Sequence, residues 1–261
     1  MVSGLRATTP AGTGIDRAVL DDLSDAVRDV VERVFDTVAQ TRALCTARLA
    51  AVAAEGRRPL SADLAGLRPH LTSRLRQGGL VSGLGFVAAP GLLADTDTLL
   101  EWWQADAAGQ VAPLLLDLEG SDSPYADYTH WEWYAHPRDT GRRIVAGPYV
   151  DYLCSDEYSL TFSLPVVCEG RFAGVAAADV YLRHFETTVA PLLRRLPAPA
   201  RLVNARGRVA ASTDPHHLVG SLTKEFDFAA LHAGAALPTT QDGLALFPCG
   251  ETSLLLVTPT G

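Results

Sequence analysis

The chain has 261 residues, of which 48% are hydrophobic and 20% are charged, so it is long enough for one large domain or for a domain with a smaller module. Its formal net charge of −8 argues against non-specific binding to nucleic acid and to an anionic membrane surface. No apolar run approaches the roughly 18 residues of a transmembrane helix, so we expect neither a membrane segment nor a nucleic-acid partner.

Residues 1–14 lack the apolar core of a secretory signal, and we interpret them as a disordered leader. The four cysteines form no CxxC pair. This pattern favours free thiols in a reducing compartment and predicts a cytoplasmic protein. A bridge between Cys154 and Cys168, on neighbouring predicted strands, is the less favoured alternative.

A stretch without glycine or proline runs from Ile15 to Glu55 and predicts a long first helix with apolar residues at helical spacing. About forty helical residues would extend roughly 60 Å, which is longer than a small domain needs. The sequence therefore predicts a homodimer in which part of this apolar face meets a second copy. The competing interpretation is that the same face packs on the sheet of its own subunit. The residues of this face are Val27, Val30, Val34 and Val38.

The remaining elements are predicted from apolar periodicity and from the Gly and Pro signals between them. Helices are expected at 60–77, 128–138, 181–196 and 226–232, and strands at 80–90, 101–106, 111–119, 144–153, 158–167 and 172–179. The PAPA segment at 197–200 is the predicted boundary between a main domain, 15–196, and a small module, 197–261. This module is predicted to contain two strands, a short helix and a final hairpin.

Aromatic residues are concentrated in one part of the chain, because all four tryptophans and all seven tyrosines lie between Trp102 and Tyr181. Aromatic faces beside carboxylates suit a site for a small organic cation. The competing interpretation is that this region is simply the best-packed sheet. The carboxylates in the densest part are Asp127, Glu132, Asp151, Asp156, Glu157 and Asp179.

Four segments of this region resemble the Cache sensor domains, whose fold is PAS-like. They are Trp133-Tyr134, GPYVD at 147–151, TFSLPV at 161–166 and GRFAGVAAAD at 170–179. The tail segment LVNARGRVAASTDPHHLVGS resembles the opening of a second Cache module, which is short here. The resemblance implies an α+β fold, with a long N-terminal helix and an antiparallel PAS-like sheet followed by a small, truncated second α+β module.

The resemblance also implies a ligand site. In the amino-acid-binding subclass, an arginine holds the ligand carboxylate, while a tryptophan, a tyrosine and two aspartates surround the ammonium group. The matching positions are Trp133, Tyr149, Asp151 and Asp179, and Trp131 stands at the position of the arginine. An α-carboxylate without that partner would cost several kcal/mol to bury. The resemblance therefore implies a small amine or another organic cation rather than an α-amino acid.

Structural roles compete with these assignments. The tryptophans could be core residues, and Asp179 could cap the helix that follows it. Trp131 and Trp133 are two residues apart, and on an ideal helix they could not face the same way. The secondary candidates for ligand contact are Tyr128, Tyr134, Asp156 and Tyr158, and Tyr125 and Asp127 are candidate lid residues.

The sequence contains no motif that marks a catalytic or a metal site. His130 and His136 have poor spacing for a shared metal, and no GxSxG, HExxH or P-loop pattern is found. We therefore expect a soluble sensor domain that binds a small molecule, uses no cofactor and carries out no catalysis. It is either a stand-alone binder or signals by docking on a separate effector. The alternatives are an enzyme that uses Asp151 or Asp179 as a base, and an interaction module without a ligand.

Overall fold

The computed structural model describes residues 15–106, 108–114, 127–151, 157–233 and 237–260, with the backbone alone at 151, 157 and 233. The predicted leader, 1–14, lies outside the described residues. The described chain forms two antiparallel sheets and a long N-terminal helix, which confirms the predicted α+β, PAS-like architecture.

Helix α1 runs from Arg17 to Ala54 and begins at the N-cap Asp16, whose side chain accepts a hydrogen bond from the Ala18 amide. It ends just before Gly56, whose positive φ suits a glycine. The helix packs across two central strands of the first sheet and against the helix that follows them. The face predicted to form a dimer is buried against the chain's own core, with Val30 only 2% exposed. The premise that one subunit could not cover this face is therefore wrong.

The first sheet has the strand order β3-β2-β1-β6-β5-β4, and all neighbours are antiparallel. Its strands are β1 (Gly83–Ala88), β2 (Leu100–Ala105), β3 (Val111–Pro113), β4 (Ile144–Asp151), β5 (Glu157–Cys168) and β6 (Arg171–Tyr181). The hairpin between β5 and β6 turns at Glu169 and Gly170, both with positive φ, as a two-residue turn of this kind requires.

The described residues form five further helices: α2 (Ser61–Leu64), α3 (Arg68–Arg76), α4 (Glu132–Thr140), α5 (Leu182–Leu193) and α6 (Phe228–Ala233). A 3₁₀ turn at Ala65–Leu67 separates α2 from α3, where the sequence predicted one helix. A second 3₁₀ turn, Tyr128–His130, precedes α4. Helix α1 covers one face of the first sheet, and α4 lies on the other, which is the face that carries the aromatic residues.

The second sheet has the order β8-β7-β11-β10-β9. Its strands are β7 (Arg201–Asn204), β8 (Val209–Ser212), β9 (Thr239–Gln241), β10 (Leu244–Pro248) and β11 (Leu254–Pro259). One face of this sheet, with Leu202, Phe247 and Leu256, joins the buried cluster that contains α1. The two sheets therefore share a core. The PAPA segment lies between α5 and β7, and the division into two domains stays a prediction.

Three cysteines lie in the described part of the chain. Cys45, Cys168 and Cys249 are free thiols, and Cys45 and Cys249 are completely buried. Cys154, the other half of the alternative bridge, lies outside the described residues. Among the helices that the structure describes, none combines the length and the apolar character needed to cross a membrane.

Candidate ligand site

The site begins on the sheet face opposite α1, where small residues leave room above the strands. Side chains alternate between the faces of a strand. Gly83, Gly85 and Ala177 therefore fall on this face, while Phe86 and Ala178 point to α1. A Cβ on Gly85 would lie 2.7 Å from Cε3 of Trp102. The glycine thus makes space for the Trp102 indole, which lies across the sheet.

Aromatic side chains from the segment 128–134 cover this face. Trp133 is 9% exposed, and its ring stacks on Tyr128 at a centroid distance of 6.3 Å and meets Tyr134 edge to face at 5.8 Å. The Tyr128 hydroxyl donates to the Ala88 carbonyl oxygen, and burial raises the pKa of Tyr128 to about 12. Burial also raises the pKa of Tyr134. These secondary candidates are thus fixed parts of the aromatic wall.

Trp131 and Trp133 border the same cavity, which has a volume of about 370 Å³. Trp131 is the N-cap of α4 and has extended backbone angles, φ −72° and ψ 142°. The argument from an ideal helix therefore does not apply to this pair. Trp131 also meets the ring of Tyr149 edge to face at 6.0 Å, and Tyr149 lines the same cavity. The structure thus brings together three of the five predicted site residues.

Asp179 is joined to this group by a chain of hydroxyls. It is 5% exposed, and the Thr161 hydroxyl donates to its Oδ1 at 2.6 Å. The Tyr149 hydroxyl bonds to Thr161 Oγ1. Because the single Thr161 proton is directed to Asp179, Tyr149 is the donor in that bond. The capping role considered for Asp179 is wrong, since the N-cap of α5 is Tyr181 and its side chain makes no capping bond.

The other predicted residues are not all in the site. Asp151 ends β4 opposite Glu157, and its side chain lies outside the described residues, as do Asp156 and Tyr125. Tyr158 points to the opposite face from Ser159 and Thr161 and is 43% exposed. Its ring faces Gly220 of the second sheet's loops, so the structure removes Tyr158 from the candidate site. Asp127 caps the 3₁₀ turn through the Thr129 amide.

Four residues of the second module also border the cavity, and sequence reasoning missed them. They are Asn204, Arg206, Arg208 and Leu222. Arg206 is paired with Glu132 at 3.0 Å, and the Asn204 amide donates to the Gly147 carbonyl oxygen at 2.6 Å, beside Tyr149. Only the packing of the two sheets brings these residues to the site, so no local signal marked them.

Four buried polar atoms border this sheet face without a hydrogen-bond partner among the described residues. Leaving such a group unpaired costs about 1–3 kcal/mol, so these atoms favour a polar ligand. The alternation Ser159-x-Thr161-x-Ser163 in an otherwise apolar strand was a signal in the sequence that could have identified two of them. The four atoms are Trp102 Nε1, the Tyr134 hydroxyl, Ser159 Oγ and Ser163 Oγ.

Comparison with known proteins agrees with this architecture. Residues 112–187, which contain all five predicted site positions, match the family model described as methyl-accepting chemotaxis protein-like, first PDC sensor domain. The structure named methyl-accepting chemotaxis protein X is 17% identical, with a TM-score of 0.63, and the match covers 93% of this chain and 95% of that one. This is the fold of the Cache, or PDC, sensor domains. The resemblance predicted from the sequence is thus confirmed.

Other Cache-type structures are similarly distant. The ligand-binding domain of the Pseudomonas aeruginosa PAO1 amino acid chemoreceptor PctC, solved in complex with GABA, is 19% identical, with a TM-score of 0.55 and coverage of 91% and 95%. The extracellular domain of the putative histidine kinase mmHK1S-Z3 is 17% identical, with a TM-score of 0.54 and coverage of 93% and 94%. No curated protein matches the sequence. At these identities the structural matches establish the Cache fold.

The described residues also limit the chemistry. Within the described ranges, no three His, Cys, Asp or Glu side chains are grouped so that they could hold a metal ion. The arrangement on the sheet face is a buried carboxylate, a line of hydroxyls and aromatic walls. Such groups can hold a cation by charge, by hydrogen bonds and by contact with the ring faces.

Proposed function

We propose that this chain is a ligand-binding sensor domain of the chemoreceptor type and that its ligand is a small amine. The observation that carries the proposal is Asp179, a carboxylate that is almost completely buried on the sheet face covered by Trp133 and Tyr149. The negative charge of this buried carboxylate favours a cationic ligand on the sheet face over an anionic one. Asp151, implied by the resemblance, would add a second negative charge.

The absence of an arginine at position 131 supports an amine over an α-amino acid. Trp131 faces the cavity from the start of α4, where it offers a ring face rather than a bidentate partner for a carboxylate. A ring face over a desolvated cation contributes roughly 0.5–2 kcal/mol. An α-carboxylate beside the Trp131 ring would lose its hydration without the bidentate partner that the amino-acid-binding subclass has at this position.

A thermal-shift comparison of each amine with its α-carboxylated parent tests this proposal, using tyramine with tyrosine, histamine with histidine and cadaverine with lysine. A ligand at 100 times its dissociation constant stabilises the fold by about 2.7 kcal/mol. We expect an amine to raise the melting temperature and its parent amino acid to leave it unchanged. If both members of every pair shift the melting temperature equally, the preference for amines over α-amino acids is refuted. If no amine shifts the melting temperature, amine sensing itself is refuted.

Variants of the carboxylates test the site itself. Asp179→Asn and Asp151→Asn keep the shape and remove the charge, so each should weaken amine binding by about 2–5 kcal/mol in a calorimetric titration. Asp139→Asn is the matched control, since Asp139 is an exposed carboxylate on α4 that pairs with Arg138. Unchanged affinity in both site variants would rule out this pocket.

A second candidate ligand is an amine that carries a carboxylate several bonds away. Arg206 and Arg208 border the cavity and could receive such a carboxylate while the ammonium group lies near Asp179. The PctC structure contains GABA, a molecule of this kind. A larger thermal shift with 4-aminobutanoate than with butylamine, lost in Arg206→Ala, would favour this candidate. The reverse order would favour a simple amine.

The remaining expectations stay proposals. No feature of the described residues favours the alternative hypothesis, an enzyme that uses Asp151 or Asp179 as a base. Turnover of a bound amine would support that alternative. We propose a homodimer that signals to a separate effector, formed by surfaces other than the covered face of α1. The cytoplasmic location also stays a proposal, and the solved relatives include domains described as extracellular.

A further inference from the structure

Trp102 is one of two tryptophans of the aromatic region, together with Trp103, that the resemblance leaves without a role. It lies on β2, is 5% exposed, and its indole Nε1 has no hydrogen-bond partner among the described residues. A buried indole N–H usually finds a partner. The adjacent Trp103 follows that rule, because its Nε1 donates to Glu101 at 2.9 Å.

The position of the Trp102 ring is set by two glycines of β1. The ring lies across Gly85, and Nε1 reaches the space above Gly83, where a Cβ would lie 3.0 Å from it. Gly83 is the register partner of Asp179, and the same Cβ position would lie 3.3 Å from Asp179 Oδ2. The indole donor and the carboxylate therefore border one small space, which any larger residue at position 83 would fill.

The Asp179 carboxylate and the Trp102 indole N–H require different hydrogen-bond partners. The carboxylate of Asp179 accepts hydrogen bonds, and an ammonium group can supply them. The indole N–H of Trp102 is a donor only, and an ammonium group has no lone pair to accept its hydrogen bond. A simple alkylamine at Asp179 would leave the indole N–H buried and unpaired. A carboxylate oxygen near Trp102 would accept the bond but would place a second negative charge close to Asp179.

We infer that Trp102 is a specificity residue and that the ligand is an amino alcohol, with a hydroxyl on the carbon next to the one that bears the ammonium group. The hydroxyl oxygen accepts from Trp102 Nε1 while the ammonium group pairs with Asp179. This inference rests on the proposed function, because it assumes that an amine binds at Asp179. It narrows the ligand class from amines in general to amines with a neutral oxygen close to the nitrogen.

The test uses two isosteric pairs in which a methyl group replaces the hydroxyl: 2-aminoethanol with propylamine, and 2-amino-1-phenylethanol with 2-phenylpropylamine. In calorimetric titrations of the wild type, we expect the amino alcohol of a pair to bind about three- to tenfold more tightly, the effect of one net hydrogen bond to a buried donor. Trp102→Phe, which keeps a ring and removes the N–H, should reduce this ratio to about one. Trp103→Phe is the matched control and should preserve the ratio.

Each outcome separates this inference from the proposed function. Amine sensing stands if amines bind the wild type and Asp179→Asn weakens their binding. The role of Trp102 is nevertheless refuted if no amino alcohol binds more tightly than its isostere, or if Trp102→Phe keeps that preference. If no amine of either pair binds but tyramine, histamine or cadaverine does, the inference about Trp102 is refuted and amine sensing stands. If none of these amines binds, both are refuted.

Gly83→Ala gives an independent check that does not alter the tryptophan. Its backbone φ is not in the left-handed region, and the added methyl would lie 3.0 Å from Nε1. We expect the variant to fold and to lose affinity for the amino alcohol at least tenfold, because its methyl group occupies the shared space. Wild-type affinity for 2-amino-1-phenylethanol in Gly83→Ala would contradict the inference.

Discussion

At the scale of single residues, Trp131 decides whether the site can accept an α-carboxylate. Trp131→Arg would place a guanidinium group at the N-cap of α4, beside the cavity. We expect this variant to gain binding of an α-amino acid, because an arginine pairs with a carboxylate through two parallel hydrogen bonds. Its affinity for the corresponding amine should fall, since a second cation then borders the site.

Trp131→Phe is the matched control for that exchange, because it keeps an aromatic wall and adds no charge. Calorimetric titration of both variants with tyramine and tyrosine measures the change. If Trp131→Arg binds tyrosine no better than Trp131→Phe does, the assignment of position 131 to the carboxylate side is wrong.

The sequence could predict the site residues that lie in contiguous motifs, but not those whose position depends on strand pairing or on the packing of the two sheets. Trp133, Tyr149 and Asp179 lie in contiguous motifs whose spacing carries over to this chain, and the structure places them on one face. The sequence could not predict a role for Trp102, because that role depends on two glycines of a neighbouring strand and on the pairing of β1 with β6. It could not predict that Arg206 borders the cavity, because this position depends on how the two sheets pack.

At the scale of elements, the apolar face of α1 belongs to the core of its own subunit. Val30→Glu would bury an unpaired carboxylate, so we expect it to lower the free energy of unfolding by about 3 kcal/mol or more. Val19→Glu makes the same change on the same helix at a residue that is 38% exposed, and it should have little effect. Urea unfolding measures both, and light scattering reports assembly. If Val30→Glu stays folded and only changes from dimer to monomer, that result would support the predicted dimer interface on this face of α1.

An ion pair joins α1 to the region just before β4. The two terminal guanidinium nitrogens of Arg143, Nη1 and Nη2, each donate to a Glu32 carboxylate oxygen at 2.7 Å, and Cζ of this guanidinium lies 4.5 Å from the centroid of the Phe35 ring. The hydrogen bonds from Arg143 lower the pKa of Glu32 below its ordinary value of 4.5. Because the folded pKa is below the unfolded one, the pair stabilises the fold above pH 4.5 and loses this effect as the pH falls through the lowered value.

A double-mutant cycle of Glu32→Gln and Arg143→Gln tests the pair. The coupling energy should be about 1 kcal/mol or less at pH 7, because both side chains are partly exposed, and it should approach zero near pH 2. Urea midpoints of the four proteins at both pH values give the cycle. A coupling energy that is the same at the two pH values would contradict the role of the charged carboxylate.

Elements with strong periodicity or a clear turn were predictable, and the weaker ones were not. Helix α1 and the β5–β6 hairpin lie within a few residues of their predicted limits. The helix expected at 60–77 is interrupted at Gly66, where a Cβ would lie 2.8 Å from the Arg48 guanidinium. Strand β9 has only three polar residues, Thr239–Gln241, and pairing with β10 alone defines it.

At the scale of the whole molecule, the second sheet is part of the same buried core as α1. Besides the shared cluster, the Ser24 hydroxyl donates to the Pro248 carbonyl oxygen at 2.5 Å, and the Ser253 hydroxyl donates to the Val145 carbonyl oxygen. A tail of about sixty residues is too small for a large core of its own. We therefore expect the two sheets to unfold together in one cooperative transition.

The position of the tryptophans makes that expectation measurable. All four lie between Trp102 and Trp133, so their fluorescence reports on the first sheet, whereas the labelling rate of the Cys249 thiol reports on the second. Both signals should give the same urea midpoint. Labelling of Cys249 at a clearly lower urea concentration than the fluorescence change would show that the second module unfolds by itself.

The burial of the thiols has a consequence for the redox conditions that the protein can tolerate. Burial raises the pKa of Cys45 and of Cys249 to about 12, and burial together with the charge of Glu169 raises that of Cys168. At neutral pH these groups are almost entirely protonated, and it is the thiolate that attacks disulfides and oxidants. Cys45 and Cys249, which are also completely buried, should therefore stay unmodified in an oxidising medium as well as in a reducing one, so these two thiols do not tie the fold to one side of a membrane.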